Sequence, residues 1–179
     1  MACYQNGDEK AFGTLFGRYE ARLYIFFLRR LGDETVTADL YQKTWLNVHR
    51  NRHRYDAGRP FRVWLFSIAY NVLKDEWKRR AAASEVPTGE LPETGTGDSE
   101  SPVEGGLERA ELKSVVARAM NALPDGQRDI LLLSKFEGLG YDEIAEIVGL
   151  SVGAVKQKAH RAFLTLKSKL APYMQPEGA

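Results

Sequence analysis

Residues 81–107, AAASEVPTGELPETGTGDSESPVEGGL, constrain what this chain can fold into more than any other stretch. They are rich in Gly, Pro, Ser, Thr and Glu and contain no aromatic side chain. Such a segment cannot bury enough apolar surface to offset the entropy of ordering its backbone. The 179 residues are thereby split into two bodies, each of which must build its own core. Charge follows the same division. Residues 1–80 hold 15 basic and 9 acidic side chains, 81–108 hold 7 acidic and no basic ones, and 109–179 hold 10 basic and 8 acidic ones. A net charge of +1 therefore averages two basic bodies and an acidic connection.

Both bodies read as helical. Phe12, Leu15, Phe16, Tyr19, Leu23 and Phe26 keep the 3.6-residue period, with Asp8 as the cap and Gly32-Asp33 as the break. A second helix is expected from near Thr37 to about Arg50, burying Leu40, Trp45, Leu46 and Val48 in some combination. A basic turn at 51–60 precedes a third helix over about 61–80. In the second body helices are expected at 108–122, 125–137, 142–148 and 152–170, punctuated by Leu123-Pro124 and Gly138. No segment alternates with the period of a strand. The expected fold is all-α: a helical domain at 1–80, a flexible acidic linker at 81–107, a second helical domain with a helix-turn-helix at 108–172, and a tail at 173–179.

Composition removes several function classes. Cys3 is the sole cysteine, which excludes an intrachain disulfide and fits a reducing compartment. His49 and His53 are four apart but lack a second ligand pair, so no metal site is expected. No apolar run approaches the roughly 18–20 residues that span a bilayer, and no charged-then-apolar leader follows Met1. The expectation is a cytoplasmic protein without membrane insertion. A P-loop, paired metal carboxylates and a nucleophile-base motif are all missing, so no catalytic residue and no cofactor are expected.

From Tyr141 to Leu170 the second body reads YDEIAEIVGLSVGAVKQKAHRAFLTLKSKL. Two amphipathic segments meet at Gly149-Leu150-Ser151, a corner short enough to require a tight helix-helix turn. Gly149 suits the left-handed position that closes the first helix, and Ser151 suits the cap of the second. Val155, Ala159, Phe163, Leu166 and Leu170 form one apolar stripe. The opposite face carries Gly153, Gln157, His160, Arg161, Leu164 and Ser168, with Lys156 and Lys158 on its flanks. A basic amphipathic helix is most often a solvated core helix. Here, though, charge is sorted by element: Val152 to Leu170 holds five bases and no acid, and Asp142 to Val148 three acids and no base. That is the pattern of a DNA-reading helix-turn-helix, with polar side chains for base edges and lysines for phosphate. The candidate DNA contacts are Ser151, Gly153, Ala154, Lys156, Gln157, Lys158, His160 and Arg161.

Arg50 to Arg80 forms the second informative region, with nine bases, three acids and six aromatics. Phe61, Leu65, Ile68, Ala69, Val72 and Leu73 cluster on one side of a helical wheel. Ser67, Tyr70, Asn71, Lys74, Trp77 and Lys78 gather opposite. Aromatic rings stack on unpaired bases while cations neutralise phosphate, so this face has the equipment to grip a melted or extruded base. Packing of Trp64 and Trp77 against neighbouring helices is the other reading, and the residues alone leave both open.

Three N-terminal segments, GDEKAFGTLFGRYEARL, ADLYQKTWLNVHRNRHRYD and FRVWLFSIAYNVLKDEWKRR, resemble region 2 of the bacterial extracytoplasmic-function (group 4) sigma factors. The segment ALPDGQRDILLLSKFEGLGYDEIAEIVGLSVGAVKQKAHRAF resembles region 4 of the same family, and together they cover nearly everything but the linker. The resemblance implies a subunit that binds RNA polymerase core and directs promoter-specific initiation without catalysis of its own. Polymerase contacts, to the clamp helices of the largest subunit, would fall on Asp39, Leu40, Gln42, Lys43 and Leu46, with a further contact to the flap region. The downstream (−10) promoter element would be melted by Asn51, Arg52, Arg59, Phe61, Arg62, Trp64, Tyr70, Asn71, Lys74 and Lys78. The helix-turn-helix would read the upstream (−35) element. Family members are often held inactive by a cognate anti-sigma protein. Ala38, Lys43, Tyr70 and Gln157-Lys158 depart from the family's usual residues. The alternative is a polymerase-independent helix-turn-helix regulator whose N-terminal half senses a ligand or dimerises.

Overall fold

The computed structural model describes residues 1–84 and 107–173, all-helical apart from turns, with no strand among them. The expected linker and tail lie almost wholly outside the described residues. Two compact units are present, the first built on helices α1 (Ala2–Gln5), α2 (Glu9–Leu31), α3 (Glu34–Arg50) and α4 (Phe61–Ser84). The second is built on α5 (Leu107–Asn121), α6 (Asp125–Leu131), most of α7 (Tyr141–Val148) and α8 (Val152–Leu170).

In the first unit the helix ends follow local chemistry. Asp8 Oδ1 accepts from Lys10 N at 2.9 Å and Ala11 N at 3.2 Å, which satisfies donors that the first turn of α2 leaves open. Gly32 closes α2 at φ 68°, a left-handed conformation that a Cβ disfavours. Asp33 then caps α3 through Val36 N at 3.0 Å, and this cap starts the helix at Glu34, three residues before the expected Thr37. Helix α3 packs on both α2 and α4. Their shared core holds Leu23, Phe26, Phe27, Leu40, Val48, Leu65, Phe66, Ala69 and Leu73, all nearly sealed from solvent. Phe26 meets Phe27 and Phe66 edge-on at 5.5 and 5.3 Å, the favoured arrangement of aromatic quadrupoles.

The second unit departs from expectation at one place. The helix expected over 125–137 stops at Leu131, and Leu132–Phe136 forms a π turn in which Glu137 N reaches back five residues to Leu132 O. Ile130, Leu131, Leu132 and Leu133 are each at most 2 % exposed. Four consecutive buried side chains cannot lie on one stripe of a regular helix, so this short segment is enclosed on all sides. Gly138, at φ 65°, ends it. Leu123, Leu131 and Ala162 form the centre of the cluster, with Met120 and Leu166 packed against it.

Candidate nucleic-acid interface

The helix-turn-helix forms as its residues dictate. Gly140 N donates to Glu143 Oε2 at 2.8 Å at the start of α7. Gly149 takes φ 72°, and Leu150 N bonds back to Ala145 O at 3.1 Å, closing that helix. Ser151 Oγ accepts from Ala154 N at 3.2 Å, so the hydroxyl is engaged in capping α8. Val155, Ala159 and Ala162 are buried. Phe163, expected in that stripe, is 39 % exposed, with the Lys135 ammonium 5.0 Å from its ring centre. The buried line therefore steps by three from Ala159 to Ala162, rather than by four to Phe163, and continues to the half-buried Leu166. Gly153, Lys156, Gln157, His160 and Arg161 all face solvent, as the expected reading face requires. Ala154 and Lys158 are half-buried, and the Lys158 ammonium lies against Gly126 of α6.

On α4 the structure redraws the expected face. Tyr70 is 8 % exposed and packs edge-on against Trp77 at 6.3 Å. Trp77 is half-buried because the guanidinium of Arg30, from α2, lies 4.4 Å from its ring centre. Lys74 covers Tyr70 at 5.8 Å. Trp77 is covered from α2 by Arg30, Tyr70 is buried beside Trp77 and Lys74, and neither offers an open stacking platform. Phe61 is buried as well, against Tyr19 at 5.3 Å and Trp64 at 5.9 Å. The accessible line is Trp64, Ser67, Asn71, Lys74 and Lys78, of which Asn71 and Lys78 are exposed and the rest half-buried. At 100° per residue those five span about 80° of the helix. Tyr70 and Trp77 sit just beyond that arc, where Arg30 of α2 covers Trp77.

The turn between α3 and α4 is ordered by its own hydrogen bonds. Arg54 N donates to Asn51 O at 2.8 Å, Gly58 N to Asp56 Oδ1 at 2.9 Å, and Tyr55 Oη to Arg59 O at 2.5 Å. Asn51 is half-buried, its amide bonded to Asn47 O at 2.9 Å, and Arg52 bonds to His49 O at 2.9 Å. Arg59 is exposed and Arg62 half-buried.

The expected polymerase contacts divide sharply. Leu40 is 1 % exposed and belongs to the core, so it cannot meet a partner directly. Leu46, expected beneath the surface, is 53 % exposed. Asp39, Gln42 and Lys43 are exposed, and Lys43 Nζ pairs with Asp39 Oδ2 at 2.6 Å. Lys43 and Leu46 line a depression of about 270 Å³ between α3 and α4, floored by Val72 and Glu76. Glu76 is 4 % exposed and accepts from Arg79 Nε at 2.8 Å, Arg79 Nη2 at 2.7 Å and Arg80 Nε at 2.7 Å. The hydrogen bonds from Arg79, aided by those from Arg80, outweigh burial and hold its carboxyl at a pKa of about 2. Sequence reading missed this clasp, although the spacing of Glu76 to Arg79 and Arg80, three and four residues on, places all three on one face.

Residues 15–83 match the family described as Sigma-70 region 2, and residues 114–166 match Sigma-70, region 4. The chain is 32 % identical over 174 residues to the RNA polymerase sigma factor CarQ of Myxococcus xanthus, covering 95 % of each. It belongs to the extracytoplasmic-function sigma factors. The sigma-H factor of Pseudomonas aeruginosa is 30 % identical, covering 96 % of this chain and 92 % of that one. The sigma-E factor of Escherichia coli is 28 % identical over 177 residues. Among solved structures, CnrH in complex with the cytosolic domain of CnrY shares 28 % identity and a TM-score of 0.68, covering 96 % of this chain and 94 % of that one. The sigma factor RpoE of Bartonella quintana, solved with the anti-sigma factor NepR, has the same fold at a TM-score of 0.78 and 23 % identity, covering 90 % of this chain and 98 % of that one. This sigma factor binds RNA polymerase core and promoter DNA and directs promoter-specific initiation, which removes the polymerase-independent regulator as a reading. Members of its family initiate transcription without catalysing a reaction themselves. No helix among the described residues is long and apolar enough to cross a membrane.

Proposed function

We propose a division of labour in which the first unit grips polymerase and the melted −10 strand, and the second reads the −35 duplex. The observation that carries it is a pairing of unlike surfaces. The α4 line of Trp64, Asn71, Lys74 and Lys78 offers one open aromatic, one amide and two cations. The α8 face offers Gln157, His160 and Arg161 with Lys156 beside them and no open aromatic platform among them. Unpaired bases need stacking and an amide to read an edge. Duplex in a major groove needs long polar side chains and cations.

In this reading Asn71 reads the extruded base, Trp64 stacks on it, and Arg59, Arg62, Lys74 and Lys78 neutralise its backbone. Asn51, Arg52, Phe61 and Tyr70 shape the site from behind. Gln157, His160 and Arg161 meet base edges, while Lys156 and Lys158 hold phosphate and Ser151, Gly153 and Ala154 let the strand approach. Asp39, Gln42, Lys43 and the exposed Leu46 meet the clamp helices, and Leu40 supports them from the core. Exposed Phe136, Phe163 and Leu164 support a protein contact on the second unit, which the flap of polymerase would fill. Two of the structural relatives are solved as complexes with such partners, an anti-sigma factor and a cytosolic domain, and this supports control by a partner of that kind here. The site of action is the cytoplasm, where the polymerase is.

The test combines the protein with sigma-free core polymerase and a library of promoter fragments. Specific initiated transcripts are expected, and Asn71→Ala should abolish opening while sparing closed-complex binding. Equal loss of both steps would remove the assigned role.

A further inference from the structure

The short helix α1 makes a contact that none of the surfaces above requires. Gln5 Nε2 donates to Arg52 O at 2.8 Å and to Tyr55 O at 2.7 Å, spanning 47 and 50 residues of sequence. Both acceptors are backbone carbonyls of the turn between α3 and α4. One begins the 3₁₀ segment of that turn, Arg52–Arg54, and the other immediately follows it. Beside Gln5, Tyr4 is 6 % exposed and hydrogen-bonds His49 Nδ1 at the end of α3. The Arg52 guanidinium lies 5.9 Å from the Tyr4 ring centre. Tyr4 is in turn anchored on Phe12 at 5.0 Å, so α1 is fixed to α2 while it holds the turn.

A primary amide has two donor hydrogens, and here both are given to main-chain oxygens of one segment. That arrangement fixes backbone position without reading any side chain of the turn. The turn delivers Arg59 and, through Tyr55 packed on Trp64 at 5.2 Å, the stacking aromatic of α4. We propose that Gln5 is a positioning residue for −10 recognition: its two hydrogen bonds pre-set the 52–55 backbone so that Arg59 and Trp64 are placed before DNA arrives. The inference rests on the assignment of the −10 site to this turn and to α4. Ordering the turn beforehand removes an entropy that would otherwise be spent at the moment of base capture.

The experiment compares full-length holoenzymes carrying Gln5→Met, Gln5→Lys and wild-type protein. Methionine keeps the length and shape of glutamine without its donors, and lysine restores a donor. Three quantities are read: closed-complex affinity for duplex promoter, affinity and base preference for a single-stranded −10 oligonucleotide, and amide exchange at Arg54 and Tyr55. Gln5→Met is expected to weaken oligonucleotide binding about tenfold, flatten base preference and speed exchange at both amides, with duplex affinity unchanged. Gln5→Lys should recover most of the loss. A purely structural role would lower the melting temperature and leave base preference intact, and that result would overturn the proposal. So would an unchanged oligonucleotide affinity in Gln5→Met. Asn71→Ala and Arg59→Ala are run alongside. If these also bind the oligonucleotide normally, the −10 assignment falls and the Gln5 role with it. If they fail while Gln5→Met does not, only the role of Gln5 falls.

Discussion

Helices α4 and α8 are both long and basic, yet only one of them presents the face its sequence implies. Helix α8 is buried along one line, through Val155, Ala159 and Ala162, with Ala154, Lys158 and Leu166 half-buried beside it and the opposite face open to solvent. Helix α4 packs on α3 along one side, while Phe66 and Trp77 meet Phe26 and Arg30 of α2 on another and Tyr70 is buried beside Trp77. Only a narrow arc from Trp64 to Lys78 stays open. A helix with one covered side shows its function in its periodicity. A helix with two covered sides has its functional face set by what is left over, and this depends on neighbours distant in sequence.

The sharpest way to break this contrast is to truncate the same residue type in each helix. Phe66 in α4 is fully buried and Phe163 in α8 is 39 % exposed. Phe66→Ala should cost about 3–5 kcal/mol in denaturant unfolding and Phe163→Ala less than about 1 kcal/mol. Similar costs would mean that α8 is as enclosed as α4.

The next largest effect concerns Glu76, whose folded pKa of about 2 lies below its ordinary value of 4.5. A depressed carboxyl stabilises the fold above its unfolded pKa, and that stabilisation is lost as pH falls through the folded one. Stability of the first unit should therefore drop between about pH 4.5 and 2 by an increment on the order of 2 kcal/mol, and Glu76→Gln should lack that increment. Thermal melts of both proteins across this range would measure it. Nothing equivalent is expected in α8, where no buried carboxylate is clasped.

A third comparison separates the open aromatic of α4 from the covered one. Trp64→Ala should weaken holoenzyme binding to a single-stranded −10 oligonucleotide by about 1–3 kcal/mol, the usual value of one stacked base. Tyr70→Phe should change it by less than about twofold. Reversed effects would restore Tyr70 to the reading face. The smallest effect expected is on α8. Lys156→Ala should lower the slope of log affinity against log salt by about 1, as loss of one phosphate contact does. Lys158→Ala should lower it less, because Lys158 is half-buried whereas Lys156 is exposed.

The helix-turn-helix was legible because its signals are local: Gly149 at the corner, Ser151 at the cap, and a charge pattern sorted by element. The same holds for Asp8 and Gly32 in the first unit. The π turn at Leu132–Phe136 was not legible, since consecutive apolar residues extend a regular helix equally well in a periodicity count. The helical wheel alone points Tyr70 and Trp77 outward, because their positions border Asn71 and Lys74. Arg30, forty residues or more upstream, draws Trp77 inward, and no pattern within α4 records that. Leu46 and Leu40 were grouped on one helix, and which of them faces outward depended on where α4 docks.

By itself the sequence determined that two helical bodies exist, where the long helices begin and end to within a few residues, and which family's segments they resemble; the short α1 and the end of α6 were not among those. Those features rest on backbone hydrogen bonding, capping and hydrophobic period, all decided within a few turns of chain. Only the tertiary structure decided which arc of α4 remains open, that Leu40 is buried and Leu46 exposed, and that Gln5 holds a turn some fifty residues away. Burial and long-range hydrogen bonding are properties of assembled surfaces, and one helix does not specify what will cover it.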